Sequence, residues 1–196
     1  MASSKRALLI DTAQALFYKN GFRATGIDLI LAEAGVAKKT LYHHFTSKDD
    51  LIIATLMQRD QQLLLRLKTD TQRLIPVQTC QTKLAPIMAF FDALAEWITS
   101  EQFFGCMFIN GSAEYPRHDD PIHLACREHK LLMMQLIESL LVEVELSDKK
   151  SVVRQLSIIA DGAIVGAHTM SESDSTRFAK IAAQAVLTHF CLNYTQ

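Results

Sequence analysis

The sequence predicts an all-α fold, in which a small N-terminal domain of three helices is followed by a larger helical C-terminal domain. Apolar residues recur at helical spacing along most of the 196 residues, and no segment alternates with period two over a useful length. The chain holds only 7 Gly and 4 Pro, the residues that interrupt helices most strongly. With 49% hydrophobic and 21% charged residues, the composition is that of a globular protein and excludes a disordered or fibrous one.

Charge is distributed unevenly along the chain, although the net charge is only −1. Up to Lys48 there are seven Lys and Arg residues against three Asp and Glu residues, a net charge of +4, which leaves −5 for the remainder. A basic segment on an acidic body is typical of a protein whose first segment meets a polyanion such as nucleic acid. Chance alone can also produce such a split, so charge does not identify the partner.

Several protein classes are disfavoured by what the chain does not contain. Its cysteines form no C-x-x-C pair, so we expect free thiols and no metal site. The N-terminus lacks the apolar core of a signal peptide, and no apolar run approaches the roughly 18 residues of a membrane span, so we expect a cytoplasmic protein with no membrane partner. We find no G-x-S-x-G, H-E-x-x-H or G-x-x-x-x-G-K pattern, and therefore expect no catalytic residue and no cofactor. The cysteines are Cys80, Cys106, Cys126 and Cys191.

The chain begins with two predicted helices joined by a short turn. Over residues 5–20 the apolar residues fall on one face at helical spacing, and Gly21 supplies a left-handed stop. Thr25 followed three residues later by Asp28 forms a capping-box pattern, which predicts that a second helix begins here. That helix ends at Gly35.

Two more helices complete the first part of the chain. A short third helix is predicted over residues 37–44. Ser47 with Asp50 offers another capping box, which opens a longer fourth helix that extends to about residue 72.

A stretch of weak periodicity that includes Pro76, residues 68–83, indicates the end of that helix and a connection between domains. We therefore expect a first domain over residues 1–50, the fourth helix to about residue 72 as a connector, and a second domain over residues 73–196.

The second domain is predicted to be helical throughout. Residues 84–99 are apolar and helical in pattern, and the segment FFGCMFINGSAEYP forms a short apolar helix that is closed by Pro116. Asp120 and Pro121 form an N-cap and N1 pair, which opens a helix whose apolar stripe predicts its end near Ser147. The last two predicted helices are amphipathic, and their stripes consist of Val152, Leu156, Ile159, Ala160 and Ala163 on one, and Phe178, Ile181, Ala182, Ala185, Val186 and His189 on the other.

The segment IDLILAEAGVAKKTLYHHF meets the requirements of a helix-turn-helix. Such a motif needs a supporting helix, a tight turn at a residue that tolerates positive φ, and a second helix with an apolar inner face and a polar outer face. Gly35 stands in the turn, because glycine has no Cβ to oppose a left-handed backbone. Val36, Leu41 and Phe45 face inward. The residues predicted to point outward, toward a DNA groove, are Lys38, Lys39, Thr40, Tyr42, His43 and His44.

The N-terminal part of the chain resembles the TetR family of regulators. The segments GFRATGID, AEAGVAKKTLYHHF and SKDDL are similar to that family's signature in order and spacing, over roughly residues 10–51. Ala37 stands where the family often has a serine cap, and Lys39 where it often has glycine or another residue, so the operator sequence does not carry over. The positions that coincide with the family pattern are Gly21, Thr25, Ala32, Gly35, Val36, Thr40, Leu41, Tyr42, Phe45 and Lys48.

The resemblance implies a division of roles within the first domain, which it identifies as a DNA-binding domain. It implies that Thr25 with the start of the second helix, Tyr42 and Lys48 contact phosphates, and such contacts fix register. Lys39, Thr40 and His43 are placed to meet base edges, where lysine prefers guanine acceptors. The alternative for each of these residues is that it only covers the surface.

Two adjacent histidines, His43 and His44, raise the question of a metal site. Neighbouring residues on a helix point about 100° apart, so two adjacent imidazoles do not converge on one ion. We expect no metal there.

The resemblance also implies an effector cavity and a dimer interface in the second domain. The segment GCMFINGSAEYP looks like one seen in a group of these regulators, where it links the ligand-binding helices. The alternative for each cavity candidate is ordinary core, and we expect Cys106, His129 and His168 to be structural. The candidate effector-binding residues are Phe90, Phe91, Trp97, Phe103, Met107, Phe108, Met133 and Met134.

The last two helices carry small residues that permit close helix approach, and in the family such helices pair across a two-fold axis. We therefore expect a homodimeric transcriptional regulator, a repressor that binds a palindromic operator in double-stranded DNA and is released by a small apolar or aromatic effector. The alternatives are an effector-free regulator, an architectural DNA binder, and an enzyme with a DNA-binding arm. The sequence does not identify the operator, the effector, the regulated genes, the sign of regulation or a redox role for Cys106.

Overall fold

A computed structural model describes residues 4–75, 83–170 and 174–192. Within these ranges it contains nine α-helices and no β-strand, which confirms the all-α prediction. None of the helices in this described part is long and apolar enough to cross a membrane. Pro76 and Cys80 lie outside the described residues. The helices are α1 (Lys5–Asn20), α2 (Ile27–Ala34), α3 (Lys38–His44), α4 (Lys48–Leu74), α5 (Ala85–Ile98), α6 (Met107–Glu114), α7 (Pro121–Ser139), α8 (Lys149–Met170) and α9 (Ser175–Phe190).

The chain forms two compact units, each built from two segments. Unit 1 combines Met1–Gln62 with Cys106–His129, and unit 2 combines Leu63–Gly105 with Lys130–Gln196. Unit 1 therefore contains α6 and the start of α7 in addition to the N-terminal helices. A functional division near residue 72 stays a prediction.

The core of unit 1 forms where the predicted apolar faces of the first helices meet. Leu9 and Phe17 of α1, Ile30 of α2 and Leu41 of α3 are all buried. Both α2 and α3 contact α1 and each other. Apolar residues spaced at i, i+3, i+4 and i+7 lie on one side of a helix, so each short helix can bury one side in this shared core.

Two glycines end the first two helices with positive φ. Gly35 has φ 61° and ψ 35°, the left-handed conformation, and its N–H donates to carbonyls of α2. The turn of the helix-turn-helix is therefore as predicted. Gly21 has φ 87° but ψ 163°, so the stop after α1 needs positive φ without being left-handed helical. Both conformations are strained for residues with a Cβ.

One predicted capping box is wrong and the other is half right. The N-cap of α2 is Gly26, which has no side chain to cap the helix, and the Thr25 hydroxyl donates backward to the Gly21 carbonyl. At the start of α4 the Ser47 hydroxyl accepts from the Asp50 N–H at 3.1 Å, as predicted. The Asp50 carboxylate accepts from Thr46 instead of returning to Ser47.

The helix α7 begins as predicted and ends earlier. The Asp120 carboxylate accepts from the Ile122 N–H at 2.8 Å, as expected of an N-cap before Pro121. The helix ends at Ser139, not near Ser147. Leu141 and Val144 of the predicted stripe are buried beyond this end. The backbone there forms tight turns with i to i+3 hydrogen bonds instead of a helix. Periodicity alone does not separate a last helical turn from successive tight turns.

Unit 2 packs α8 and α9 against each other and both against α5. Small residues make the close approach possible: Ala160 and Ala163 of α8 and Ala183 of α9 are all buried. After α9, the Leu192 N–H donates to the Glu145 carbonyl at 3.1 Å and fixes the end of that helix.

Candidate DNA-binding interface

The helix-turn-helix is formed by α2, the turn at Gly35 and α3. Val36, Leu41 and Phe45 are 7%, 0% and 4% exposed, so the predicted inner face is confirmed. The Val36 N–H donates to the Leu31 carbonyl at 3.1 Å across the turn. These contacts hold α3 by its apolar side and leave its polar side available.

The polar side of α3 carries the side chains that the sequence predicts for DNA. Lys38, Lys39, Tyr42 and His43 are exposed, and Tyr42 retains 49% of its accessible surface. A side chain that reads DNA has to be exposed in order to enter a groove or reach a phosphate, and these four side chains meet that requirement. Thr40 and His44 are half-buried at the edge of the same side.

An ion pair joins α3 to α2 on this surface. Lys38 Nζ lies 3.4 Å from the Asp28 carboxylate, and both side chains are largely exposed. An exposed pair of this kind adds little to stability, so Lys38 is free to exchange Asp28 for a phosphate.

Thr25 is the candidate that the structure places differently. It is 0% exposed, and its hydroxyl donates to the Gly21 carbonyl at 2.8 Å. In this conformation the hydroxyl shapes the turn between α1 and α2 and does not face solvent. The phosphate contact predicted for Thr25 and the start of α2 stays a prediction, and in this conformation the Thr25 side chain has a structural role.

Lys48 lies at the first residue of α4, next to the turn between α1 and α2. Its side chain is half-buried, and Nζ lies 3.5 Å from the Arg23 carbonyl oxygen. This contact brings two basic residues, Arg23 and Lys48, to the same place on unit 1.

Sequence reasoning missed a hydrogen-bonded contact between α6 and the turn that follows α1. One Glu114 carboxylate oxygen accepts from the Phe22 N–H at 2.9 Å, and the other accepts from the Arg23 N–H at 2.6 Å. A Cβ added at Gly21 would lie 3.0 Å from the same carboxylate. We call this arrangement the Glu114 clamp. Glu114 lies about 90 positions from Phe22 and Arg23, and no pattern in a single sequence relates residues so far apart. The clamp therefore could not be predicted from the sequence.

Tyr115, the residue after Glu114, contacts the same turn through its ring. The Arg23 guanidinium lies 5.2 Å from the ring centroid, within cation–π range, and the Phe22 ring stands edge-on at 6.4 Å. Burial, followed by the nearby carboxylates of Asp49 and Glu114, raises the pKa of the Tyr115 phenol. The ring therefore stays neutral beside Arg23.

Unit 1 also contains a buried histidine. His129 is 2% exposed, its Nδ1 lies 2.6 Å from an Asp60 carboxylate oxygen, and its ring stacks on Phe108 at 3.6 Å. Cys106 is buried and forms no disulfide with the other described cysteines, Cys126 and Cys191. The expectation of burial thus holds for His129 and Cys106. His168, in unit 2, is exposed instead.

The candidate effector residues fall in both compact units. Within unit 2, Phe90 and Phe91 are buried, and the Trp97 and Phe103 rings meet edge to face at 5.3 Å. Met133 is buried and Met134 half-buried, whereas Met107 and Phe108 belong to unit 1 and are buried there. Their effector role stays a prediction.

The last two helices divide their apolar residues between the inside and the outside of unit 2. Val152, Leu156, Ala160 and Ala163 are buried against the rest of the unit, so this part of the predicted stripe serves internal packing. A second set remains exposed, and we call it the α8–α9 exposed face. It consists of Ile158 (66% exposed) and Val165 (41%) on α8, and Phe178 (58%) and Ile181 (57%) on α9.

Comparison with known proteins agrees with this geometry. The family described as bacterial regulatory proteins, tetR family, matches residues 9–55, which include α2, α3 and Lys48. The structure of a TetR-family transcriptional regulator from Streptomyces coelicolor is 31% identical, with a TM-score of 0.84 over 96% of this chain and 90% of that one.

Curated relatives add two further matches. The HTH-type transcriptional regulator YjdC of Escherichia coli is 22% identical over 94% of this chain and 100% of its own length. The HTH-type transcriptional activator FasR of Mycolicibacterium smegmatis is 35% identical over 45% of this chain and 39% of its own length. Since the similarity extends over nearly the whole of the Streptomyces regulator, the chain belongs to the TetR family, a family of DNA-binding transcriptional regulators and not of enzymes.

Proposed function

We propose that the chain is a homodimeric repressor that binds a palindromic operator through α3 and is released by a small apolar or aromatic effector. The observation that carries the proposal is the two-sided character of α3. Its apolar side is buried in unit 1, and its polar side presents exposed lysine, tyrosine and histidine side chains. A helix held in this way fits the major groove of DNA.

Base reading is assigned to Lys39 and His43, which are exposed on α3, and to Thr40, which is half-buried at the edge of the same side. Lysine donates to the O6 and N7 acceptors of guanine, and a hydroxyl or an imidazole can donate to or accept from either base. Tyr42 and Lys48 are assigned to phosphates, which fix the register of the protein on the duplex.

The α8–α9 exposed face supports dimerisation. Large apolar side chains that stay exposed on two helices packed against each other are typical of an interface with a second copy. A two-fold dimer uses the same patch on both copies and presents two recognition helices. The operator is then an inverted repeat whose half-site centres lie about 34 to 36 Å apart.

The effector proposal rests on the aromatic and methionine side chains of α5 and α7, including Phe90, Trp97 and Met133. A ligand shifts a DNA-binding equilibrium only by its different affinity for the two states. A coupling free energy of about 1 to 3 kcal/mol would lower operator affinity roughly 5- to 150-fold, which suffices for a switch.

Selection of bound DNA from a random library tests the central claim. The expected product is an inverted repeat that the chain binds as a dimer, with sedimentation to confirm the dimer. A sequence without two-fold symmetry, or a monomer at micromolar concentration, would contradict the proposal.

The sign of regulation and the effector need separate measurements. FasR is named an activator, and the match to it spans only 94 residues, so that name does not decide the sign. Fusing the selected operator to a reporter promoter is expected to give lower transcription when the chain is present. Thermal-shift screening of lipophilic compounds, followed by operator titration with each hit, tests the effector. Hits that stabilise the chain without changing operator affinity, or no hits at all, would favour an effector-free regulator.

A further inference from the structure

We infer that Glu114 of α6 is a positioning residue for DNA binding, which acts by holding the turn between α1 and α2 through the Glu114 clamp. The inference rests on the DNA-binding function and adds a residue that lies outside the helix-turn-helix.

The clamp fixes the orientation of two consecutive peptide groups. Both carboxylate oxygens of Glu114 are used, one for the Phe22 N–H at 2.9 Å and one for the Arg23 N–H at 2.6 Å. Hydrogen bonds to a charged acceptor are roughly twice as strong as neutral ones. A carboxylate that accepts from adjacent N–H groups therefore restricts rotation of the backbone between them.

The other contacts of this turn hold the Gly21 N–H, which donates to the Phe17 carbonyl at 2.9 Å, and two carbonyl groups, whereas Glu114 holds the Phe22 and Arg23 N–H groups. The Gly21 carbonyl accepts from the Thr25 hydroxyl at 2.8 Å, and the Arg23 carbonyl lies 3.5 Å from Lys48 Nζ. Loss of Glu114 would thus release the Phe22 and Arg23 N–H groups while the other contacts of the turn remain. Gly21, at φ 87°, offers little resistance to such a rearrangement.

The clamped turn carries basic groups that suit contacts with DNA phosphates. Arg23 is exposed and basic, and its guanidinium is placed by the Tyr115 ring. Lys48 lies beside it, and the turn leads directly into the N-terminus of α2 at Ile27. If the turn is not ordered in the free protein, binding has to order it. The cost of ordering one backbone residue corresponds to about a tenfold loss of affinity.

The test compares Glu114→Ala and Glu114→Gln with the wild-type chain, using the full-length protein and the selected operator. Glu128→Gln is the matched control, because Glu128 is an exposed glutamate of the same unit. Circular dichroism verifies that each variant is folded at the temperature of the titration. Hydrogen exchange at the Phe22 and Arg23 amides reports the clamp directly.

We expect Glu114→Ala to bind the operator about tenfold more weakly and to exchange both amides faster, with helix content unchanged. Glu114→Gln keeps one acceptor and turns an amide N–H₂ toward the other N–H, so we expect a smaller loss and faster exchange at one of the two amides. Glu114→Gln also allows the inference to be tested if the alanine variant does not fold. Glu128→Gln should match the wild type.

Faster exchange and a lower melting temperature with unchanged operator affinity would show a purely structural role and overturn the inference. Unchanged exchange would show that the clamp does not form in solution. A wild-type chain that binds no DNA would contradict the DNA-binding function itself, which separates that failure from the failure of this inference.

Discussion

Replacing Gly111 by alanine tests the packing of α6 within unit 1, because two opposing effects of similar size meet at this residue. Gly111 lies inside α6, where alanine is favoured over glycine by about 1 kcal/mol. An added Cβ would lie 2.9 Å from the Cys126 sulfur and 3.1 Å from a carbon of the Phe22 ring. Cys126 and Phe22 are both buried, so neither side chain can move into solvent.

The overpacking is expected to prevail. Adding a methyl group to a filled core costs about 1 to 3 kcal/mol, so Gly111→Ala should lower the free energy of unfolding by about 1 kcal/mol after the helix gain. Gly166→Ala is the matched control. Gly166 is also inside a helix, but its added Cβ would meet only the Ser175 Cβ at 3.6 Å, an ordinary contact. We expect Gly166→Ala to raise the free energy of unfolding by about 0.5 to 1 kcal/mol.

Urea unfolding measures the free energy of unfolding of both variants. All measurements use one protein concentration, because the stability of a dimer depends on concentration. The reasoning requires opposite signs for the two substitutions. If Gly111→Ala stabilises the chain as much as Gly166→Ala does, α6 does not pack against Phe22 and α7 at the distances described.

The remaining predictions concern DNA, the dimer and a buried hydroxyl. Lys39→Ala should reduce the binding free energy for the selected operator by about 1 to 3 kcal/mol and relax specificity, and an equal loss of affinity on every sequence would contradict base reading. Lys48→Ala should weaken binding to all sequences and reduce the slope of log affinity against log salt concentration by about one. Phe178→Asp places a charge on the α8–α9 exposed face, so sedimentation should show monomers and operator binding should fall, and a persisting dimer would locate the interface elsewhere. Thr71 is 1% exposed and its hydroxyl has no hydrogen-bond partner within the described residues, so Thr71→Val should raise stability by about 1 kcal/mol in urea unfolding, and a loss would indicate an unseen partner.

Elements set by local interactions were predictable from the sequence. The bounds of α1, the left-handed turn at Gly35 and the Ser47 cap depend on residues within four positions of each other, and all three are as expected. The inner face of α3 followed from the spacing of three apolar residues. Helical periodicity and capping chemistry are local properties, so a single sequence reveals them.

Features that depend on competing partners were not predictable. Thr25 has the spacing of an N-cap relative to Asp28, but its hydroxyl donates to the Gly21 carbonyl instead. Glu114 meets its partners only after the chain has folded, because they lie about 90 positions away. Likewise, the stripes of α8 and α9 did not reveal which apolar residues would face inward, since both sets fit a helical period.

The discontinuity of unit 1 has a consequence for synthesis on the ribosome. Its first segment ends at Gln62 and its last ends at His129, so the unit lacks part of its core until residue 129 has been made. At roughly 5 to 20 residues per second, the wait from the end of the first segment to the end of the second is about 3 to 13 seconds. During that time Phe22 has no α6 to cover it, so the newly made N-terminal helices expose an aromatic side chain that the folded unit buries.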